Sequence, residues 1–168
     1  MSARQNTAVI VVDMQAHFLS QLDSVKRNNL VDNHLAVLDY CREKDVPVVG
    51  LRYSTLFYGK DYVERIGTGI SEVKRHKNFW KSGNNGFSNH YLKRWLISLG
   101  VERLFLTGVF ASRCIQSTAI GALENGFEIS TSADLLGDNS VRQLEDSLPW
   151  FRTNGALFDN YYDLLRTL

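Results

Sequence analysis

The chain has 168 residues, of which 44% are hydrophobic and 22% are charged, which suits one folded domain over residues 1–168 and excludes a disordered chain. Its net charge is +1, with acidic and basic residues spread along the sequence, so neither nucleic acid nor an anionic membrane is expected as a partner. No apolar run reaches the roughly 20 residues needed to span a bilayer. The expected partner is a small molecule or another copy of the chain.

The chain contains two cysteines, Cys41 and Cys114. Residues 1–6 lack the apolar segment of a signal peptide. Two thiols without an export signal are typical of a reduced, cytoplasmic protein.

Short apolar runs rich in β-branched residues alternate with longer stretches of helical period. In chain order, the sequence predicts a strand at 7–12, a helix at 29–44, strands at 46–51 and 77–80, a helix at 88–99, a strand at 103–107, a helix at 112–125, a strand at 127–131, a helix at 141–153, a strand at 156–158 and a final helical turn or two. Residues 54–75 show no clean period, and a segment of that length is often a lid or a binding loop.

This alternation predicts a three-layer α/β fold, with a mostly parallel, six-stranded, Rossmann-like sheet and helices on both faces. Parallel neighbours need a crossover connection, which is usually a helix. Ligands of such open sheets bind at the carboxyl ends of the strands, so site residues should directly follow strands.

Three residues meet this condition: Asp13, Lys81 and Cys114. Taken singly, each has an ordinary structural explanation as a loop cap, a surface charge or a packed core residue. Together they supply an acid, a cation and a thiol, the groups that nucleophilic catalysis on an acyl centre needs. Cys114 also lies near a predicted helix start, with Ser112 as a plausible N-cap, where a thiolate is favoured. Cys41 falls on the apolar stripe of a helix and is interpreted as packing.

Three segments of the sequence resemble the isochorismatase-like cysteine hydrolases, which include nicotinamidases and N-carbamoylsarcosine amidases. They are Val-Ile-Val-Val-Asp-Met-Gln-Ala-His-Phe at 9–18, Phe-Trp-Lys-Ser-Gly-Asn-Asn-Gly-Phe at 79–87 and Thr-Gly-Val-Phe-Ala-Ser-Arg-Cys-Ile at 107–115. The second is similar to the family's lysine six residues before a phenylalanine, and the third to its Gly-Val-x-Thr-x-x-Cys-Val segment. The resemblance extends from about residue 7 to 136.

The resemblance implies that Asp13 is the base, Cys114 the nucleophile and Lys81 the group that orients them. It also implies a non-proline cis peptide between Val109 and Phe110, which would turn the N–H groups of Phe110 and Cys114 toward a developing oxyanion. The implied reaction is cleavage of a C–N bond in a small amide or carbamoyl compound through a thioester. Lys81 and the helix start are expected to lower the pKa of Cys114.

Family members usually associate, so the chain is expected to form at least a homodimer. Trp80, Trp95 and Trp150 offer aromatic area of the kind enriched at interfaces. The alternative is that all three are core residues, and it has equal weight for Trp95, which lies on the apolar stripe of a predicted helix.

The sequence departs from the family pattern in two places. Nicotinamidases bind a metal through an aspartate and two histidines after the second strand, where this chain has Gly-Leu-Arg-Tyr-Ser-Thr at 50–55. Its four histidines (His17, His34, His76, His90) show no ligand-like pairing, so no metal or other cofactor is expected and nicotinamide is a less favoured substrate. Phe110 and Ala111 replace a small residue and a threonine, which can shrink or reshape the pocket.

The candidate pocket residues are Phe18, Phe87, Arg52 and Arg113. Either arginine could meet a substrate carboxylate, or could be a solvated surface charge.

Three other functions compete with the amide hydrolase. Vinyl-ether hydrolysis of isochorismate does not need a cysteine nucleophile, so Cys114 argues against it. A binding protein that has lost catalysis remains open because Phe110 is bulky. A thiol-redox role lacks a Cys-x-x-Cys motif.

Overall fold

The computed structural model describes residues 6–54 and 58–168. The strands within these ranges are β1 (Thr7–Val12), β2 (Val48–Tyr53), β3 (His76–Lys81), β4 (Arg103–Val109), β5 (Glu128–Ser132), β6 (Leu136–Gly137) and β7 (Ala156–Phe158). The helices are α1 (Ala16–Leu19), α2 (Ser24–Lys44), α3 (Glu64–Ser71), α4 (His90–Ser98), α5 (Gln116–Glu124), α6 (Val141–Asn154) and α7 (Tyr161–Leu165).

The strands form one sheet in the order β3-β2-β1-β4-β5-β7, and every pairing between them in the described ranges is parallel. The short β6 pairs with the carboxyl end of β4, beyond the point where β5 stops pairing with it. The predicted mostly parallel α/β fold is confirmed. β6 is a seventh strand that the six-stranded prediction did not include, because two residues are too short to show a sequence pattern.

The core consists of two apolar layers, one on each face of the sheet. β1 is buried along its whole length, as its uninterrupted apolar sequence predicts for a central parallel strand. Helices α2, α3 and α7 cover one face, and helices α4, α5 and α6 cover the other. Cys41 is fully buried in the first layer, in agreement with its interpretation as a packing residue.

Helix α3 lies in the segment that the sequence analysis interpreted as a lid or binding loop, so that interpretation is wrong for residues 64–71. Its buried residues, Ile66 and Ile70, are one turn apart and face the core layer under α2. Gly69 allows the two helices to approach, because a Cβ there would lie 2.9 Å from Leu38 Cδ1. Gly67 and Gly69 lower the helix propensity and hide the period in the sequence.

Helix α2 begins at Ser24, five residues before the predicted start. The side chain of Asp23 caps it by accepting a 3.0 Å hydrogen bond from the N–H of Lys26. None of the helices in the described part of the chain combines the length and the apolarity that crossing a bilayer requires.

Candidate functional site

Asp13 and Lys81 meet at the carboxyl edge of the sheet. Asp13 directly follows β1 and has a left-handed backbone conformation, with φ of 52°. Lys81 is the last residue of β3, and its side chain reaches past the intervening strand β2. The Nζ atom of Lys81 lies 2.9 Å from Oδ2 of Asp13, and both side chains are fully buried.

Two further contacts surround the buried ammonium group of Lys81. It donates a 3.1 Å hydrogen bond to the carbonyl oxygen of Gly83, and it lies 4.6 Å from the ring centroid of Tyr53. The second carboxylate oxygen of Asp13, Oδ1, is buried and has no hydrogen-bond partner among the described residues. The carboxylate is therefore paired on one oxygen and available on the other.

Cys114 lies in a single π-helical turn, Ala111–Ile115, between β4 and α5. Its side chain is 5% exposed, and the thiol donates a 3.6 Å hydrogen bond to Oδ1 of Asn84. Ser112 does not cap the following helix, so that expectation is wrong. Instead, the N–H of Ser112 donates a 2.8 Å hydrogen bond to the buried carboxylate of Asp138, which holds the turn in place.

The peptide bond between Val109 and Phe110 is cis, in agreement with the resemblance. Neither the N–H of Phe110 nor that of Cys114 donates to a backbone carbonyl outside the turn, as far as the described residues show. The two N–H groups are therefore available to an acceptor from outside the protein.

Burial changes the pKa of Asp13 and that of Cys114 in the same direction. It raises the pKa of Asp13, against the opposing charge and hydrogen bond of Lys81. It also raises the pKa of Cys114 to about 12, and the charge of Asp13 adds to that effect while the charge of Lys81 opposes it. The direction is opposite to the expected lowering of the cysteine pKa, because burial outweighs the charge of Lys81.

Phe18 lies beside the reactive groups. Its ring makes edge contacts with Phe110, at 5.7 Å between centroids, and with Tyr53, at 6.2 Å. Because Tyr53 also contacts Lys81, these aromatic rings form one wall next to the ion pair.

The other pocket candidates lie farther out. Arg113 is exposed, one residue from the thiol. The Arg52 guanidinium lies 4.1 Å from the ring centroid of Trp80 and forms a 3.7 Å ion pair with Asp61, so other residues already engage it. The ring of Phe87 packs against Phe127, just before β5, and its described contacts do not include the reactive groups.

Gln15 supports the candidate site and was not among the residues predicted from the sequence. It is fully buried, and its amide accepts a 2.8 Å hydrogen bond from the N–H of Tyr53 and donates to the carbonyl oxygens of Tyr53 and Lys60. The clamp fixes the end of β2 against the chain that follows Asp13. The Val-Asp-Met-Gln motif contained the signal, since an amide inside an apolar run must find buried partners.

Tyr53, Asn84 and Asp138 were missed as well. Each lies just after or at the end of a strand, so the rule that located the three reactive residues could have found them. Nothing in their residue types distinguishes them from ordinary polar loop residues.

The described ranges contain no group of three or more His, Cys, Asp or Glu side chains close enough to hold a metal ion. Arg52 and Tyr53 occupy the end of β2, after which nicotinamidases place metal ligands.

Comparison with known proteins gives the family. A model of the isochorismatase domain matches residues 7–156. Isochorismatase family protein 2A of Dictyostelium discoideum is 24% identical over 158 residues, covering 90% of this chain and 76% of the relative. Nicotinamidase 3 of Arabidopsis thaliana is 28% identical over 145 residues, covering 76% of this chain and 71% of the relative.

The fold is also similar to solved structures. The YcaC gene product of Escherichia coli, an octameric hydrolase of unknown specificity, matches with a TM-score of 0.84 at 19% identity, over 98% of this chain and 79% of that one. The match of the domain model covers most of the chain, from the strand that precedes Asp13 to β7, and this chain therefore belongs to the isochorismatase family of hydrolases.

Proposed function

We propose that this protein is a cysteine hydrolase that cleaves the C–N bond of a small amide or carbamoyl compound through a thioester, with Asp13, Lys81 and Cys114 as its catalytic residues. The observation that carries the proposal is the buried 2.9 Å ion pair of Lys81 and Asp13, next to a thiol whose pKa responds to both charges. Burying two charges costs free energy, and a reactive site is a common reason for keeping them.

The first step is proton transfer from the thiol to Asp13. Its Oδ1 atom has no hydrogen-bond partner among the described residues and is the free acceptor. The raised pKa of Asp13 favours this transfer, and the Lys81 ammonium stabilises the thiolate that forms.

The thiolate then attacks the carbonyl carbon of the substrate. The N–H groups of Phe110 and Cys114 have no other acceptor outside the turn in the described ranges, so they can stabilise the oxyanion. Asp13 returns its proton to the leaving nitrogen, and an amine or ammonia departs. Water hydrolyses the remaining thioester and releases the carboxylic acid.

The aromatic wall of Phe18, Tyr53 and Phe110 favours a small acyl group with an apolar face. Arg113 is exposed one residue from the thiol, and Arg52 pairs with Asp61 but has a buried Nε with no partner among the described residues, so either arginine can bind a substrate carboxylate. No metal or cofactor enters this mechanism.

An ammonia-release screen tests the proposal, using primary amides, ureas and carbamoyl amino acids as substrates. We expect the wild type to release ammonia from at least one compound, and Cys114→Ser to release none. Cys41→Ser is the matched control and should keep its rate, because Cys41 lies in the core. Acid quenching during turnover should trap an acyl group on Cys114, visible as added mass on that peptide. Release by Cys114→Ser at the wild-type rate would refute the nucleophile.

A second candidate is a binding protein that has lost catalysis. Phe110 is 4% exposed and its ring lies against Phe18, so the two rings fill space beside the nucleophile. In that case a compound from the same screen would raise the melting temperature of both the wild type and Cys114→Ser, with no ammonia and no acyl group on the thiol.

A further inference from the structure

Asn84 places a hydrogen-bond acceptor directly against the nucleophile. Its Oδ1 atom accepts a hydrogen bond from the thiol of Cys114 at 3.6 Å, and Asp13 is also close enough to this thiol to affect its pKa. Asn84 itself is exposed and Cys114 is 5% exposed. The Asn84 amide therefore lies on the solvent side of the thiol, where a substrate has to enter.

The backbone on both sides of Asn84 is fixed by buried groups. The carbonyl oxygen of Gly83 accepts a hydrogen bond from Lys81 at 3.1 Å, and the carbonyl oxygen of Asn84 accepts one from Thr118 Oγ1 at 3.3 Å. Thr118 is fully buried in α5 and also accepts a 3.0 Å bond from the N–H of Gly86. The backbone that carries the Asn84 amide is thus held by Lys81 and by helix α5.

A planar carboxamide offers one acceptor and one set of donors to such a site. Its carbonyl oxygen suits the N–H groups of Phe110 and Cys114. Its nitrogen is bonded to the carbon that the sulfur attacks. During the attack this nitrogen therefore lies close to Sγ of Cys114, and Oδ1 of Asn84 lies close to the same sulfur. An ester has an oxygen in place of this nitrogen. That oxygen can only accept hydrogen bonds, so it cannot pair with Oδ1 of Asn84, which is also an acceptor.

We infer that Asn84 is a specificity-determining residue, whose Oδ1 atom accepts an N–H from the leaving nitrogen and so selects amides and carbamoyl compounds over esters of the same acid. The inference rests on the proposed function. In the free enzyme the thiol occupies this acceptor, and the substrate N–H replaces it when Asp13 takes the thiol proton. The C–S bond then forms, the C–N bond breaks, and Asp13 returns the proton to the nitrogen.

The test compares two substrates in three proteins. The substrates are the primary amide that releases ammonia fastest in the screen above and the methyl ester of the same acid. For Asn84→Ala we expect kcat/KM for the amide to fall about tenfold, the usual scale of one lost neutral hydrogen bond, and kcat/KM for the ester to change by less than about threefold. Asn84→Asp keeps an acceptor and should retain the amide preference. Asn28→Ala, at an exposed position on α2, is the control and should change neither rate.

Thiol alkylation by iodoacetamide gives a readout that needs no turnover. A bond donated by the neutral thiol disfavours ionisation, so Asn84→Ala should move the alkylation profile of Cys114 to lower pH. Asn84→Asp adds a negative charge beside the thiol and should move the profile to higher pH. Equal losses on amide and ester, or an unmoved profile in both variants, would overturn the role of Asn84 and leave the hydrolase intact. No acyl group on wild-type Cys114 would overturn the proposed function, and the inference with it.

Discussion

The charges of Lys81 and Asp13 are buried away from water. The free-energy cost of this desolvation is offset only by close pairing of the two charges and by additional contacts. Here the additional contacts are the Gly83 carbonyl and the Tyr53 ring on the lysine side. Removing one partner leaves the other charge buried and alone, which costs more than the pair itself contributes.

Lys81→Ala should therefore lower both stability and turnover. We expect the free energy of unfolding to fall by roughly 3–5 kcal/mol, and turnover to fall by about 100-fold or more, on the scale of losing one preorganised electrostatic group. Because the charge of Lys81 lowers the pKa of Cys114, alkylation of that thiol should also need a higher pH. Urea titration, steady-state kinetics and the pH dependence of labelling measure the three effects.

Lys74 is the matched control, because it is exposed and lies just before β3, whereas Lys81 is the last residue of that strand. Lys74→Ala should change stability by less than about 0.5 kcal/mol. If Lys81→Ala unfolds the protein, the double variant Asp13→Asn, Lys81→Met removes both charges and should recover stability without activity. An unchanged alkylation profile in folded Lys81→Ala would contradict the proposed triad.

Activity should not depend on a metal ion. The described residues bring no three metal-ligating side chains together, and the arginine and tyrosine at the end of β2 are not ligands that a divalent ion prefers. Dialysis against a strong chelator should leave the rate of ammonia release unchanged. A loss of rate that zinc or iron restores would contradict this prediction.

The strand-end rule predicted where Asp13, Lys81 and Cys114 would lie, because the carboxyl ends of parallel strands share one edge of a sheet. It could not predict the direction of the Cys114 pKa shift, since that depends on how deeply the turn is buried. It also could not predict the conformation of the loop around Asn84, because the distant Thr118 holds that loop through a hydrogen bond. Local sequence therefore indicated the reactive groups, and tertiary contacts decide their protonation.

Helix α2 carries a titratable group that the proposed mechanism does not use. His34 is buried, its Nδ1 atom lies 2.7 Å from the carbonyl oxygen of Leu30, and its Nε2 atom has no partner among the described residues. Burial lowers the pKa of His34 from 6.5 to about 4. The folded state therefore holds the imidazole neutral at pH values where the unfolded chain binds a proton.

The stability that depends on neutral His34 is complete above pH 6.5 and is lost as the pH falls toward 4. The free energy of unfolding should drop by up to about 3 kcal/mol over this window through this one group. His34→Gln should flatten this part of the pH profile in urea titrations, whereas His90→Gln, at an exposed position, should not. Parallel pH profiles for the wild type and His34→Gln would refute the assignment.

Strand β4 depends on Gly108 for its contact with β1. Gly108 has φ of 119°, and a Cβ there would collide with the carbonyl oxygen of Val12, the residue before Asp13. Gly108→Ala should cost more than about 3 kcal/mol of stability. Gly100 has φ of 69° but open space around it, so Gly100→Ala should cost only about 1–2 kcal/mol. Equal melting temperatures for the two variants would contradict this argument.

Sequence pattern was most informative for the strands. β1 lies at the predicted residues because an apolar strand within a parallel sheet is fixed by burial, and the edge strand β7 also lies at the predicted residues. Helix α3 was missed because Gly67 and Gly69 carry no local helix signal, although Gly69 allows close packing against α2. The start of α2 was misplaced because the cap at Asp23 precedes the apolar stripe.

Several aromatic side chains are exposed on the surface of the protein. Trp80 is 41% exposed and Tyr91 57%, and both line one groove of about 310 Å³ beside Lys81. Trp95 and Trp150 are half-buried and pack against Phe79 and Phe151, so they serve the core more than an interface.

We expect the protein to associate as at least a dimer, because exposed aromatic residues such as Trp80 are of the kind enriched at interfaces. Light scattering at micromolar concentration should give a mass of at least two chains. Trp80→Lys should shift the mass toward the monomer, whereas Tyr162→Lys, at an exposed position on α7, should not. A monomer mass for the wild type would refute the association.

The Gln15 clamp has a consequence for how substitutions near Asp13 act on the site. One buried amide binds the backbone of both Tyr53 and Lys60, and the Tyr53 ring lies 4.6 Å from the ammonium group of Lys81. A change at Gln15, two residues after Asp13, therefore alters the support of the lysine through Tyr53, although Gln15 has no described bond to either member of the ion pair.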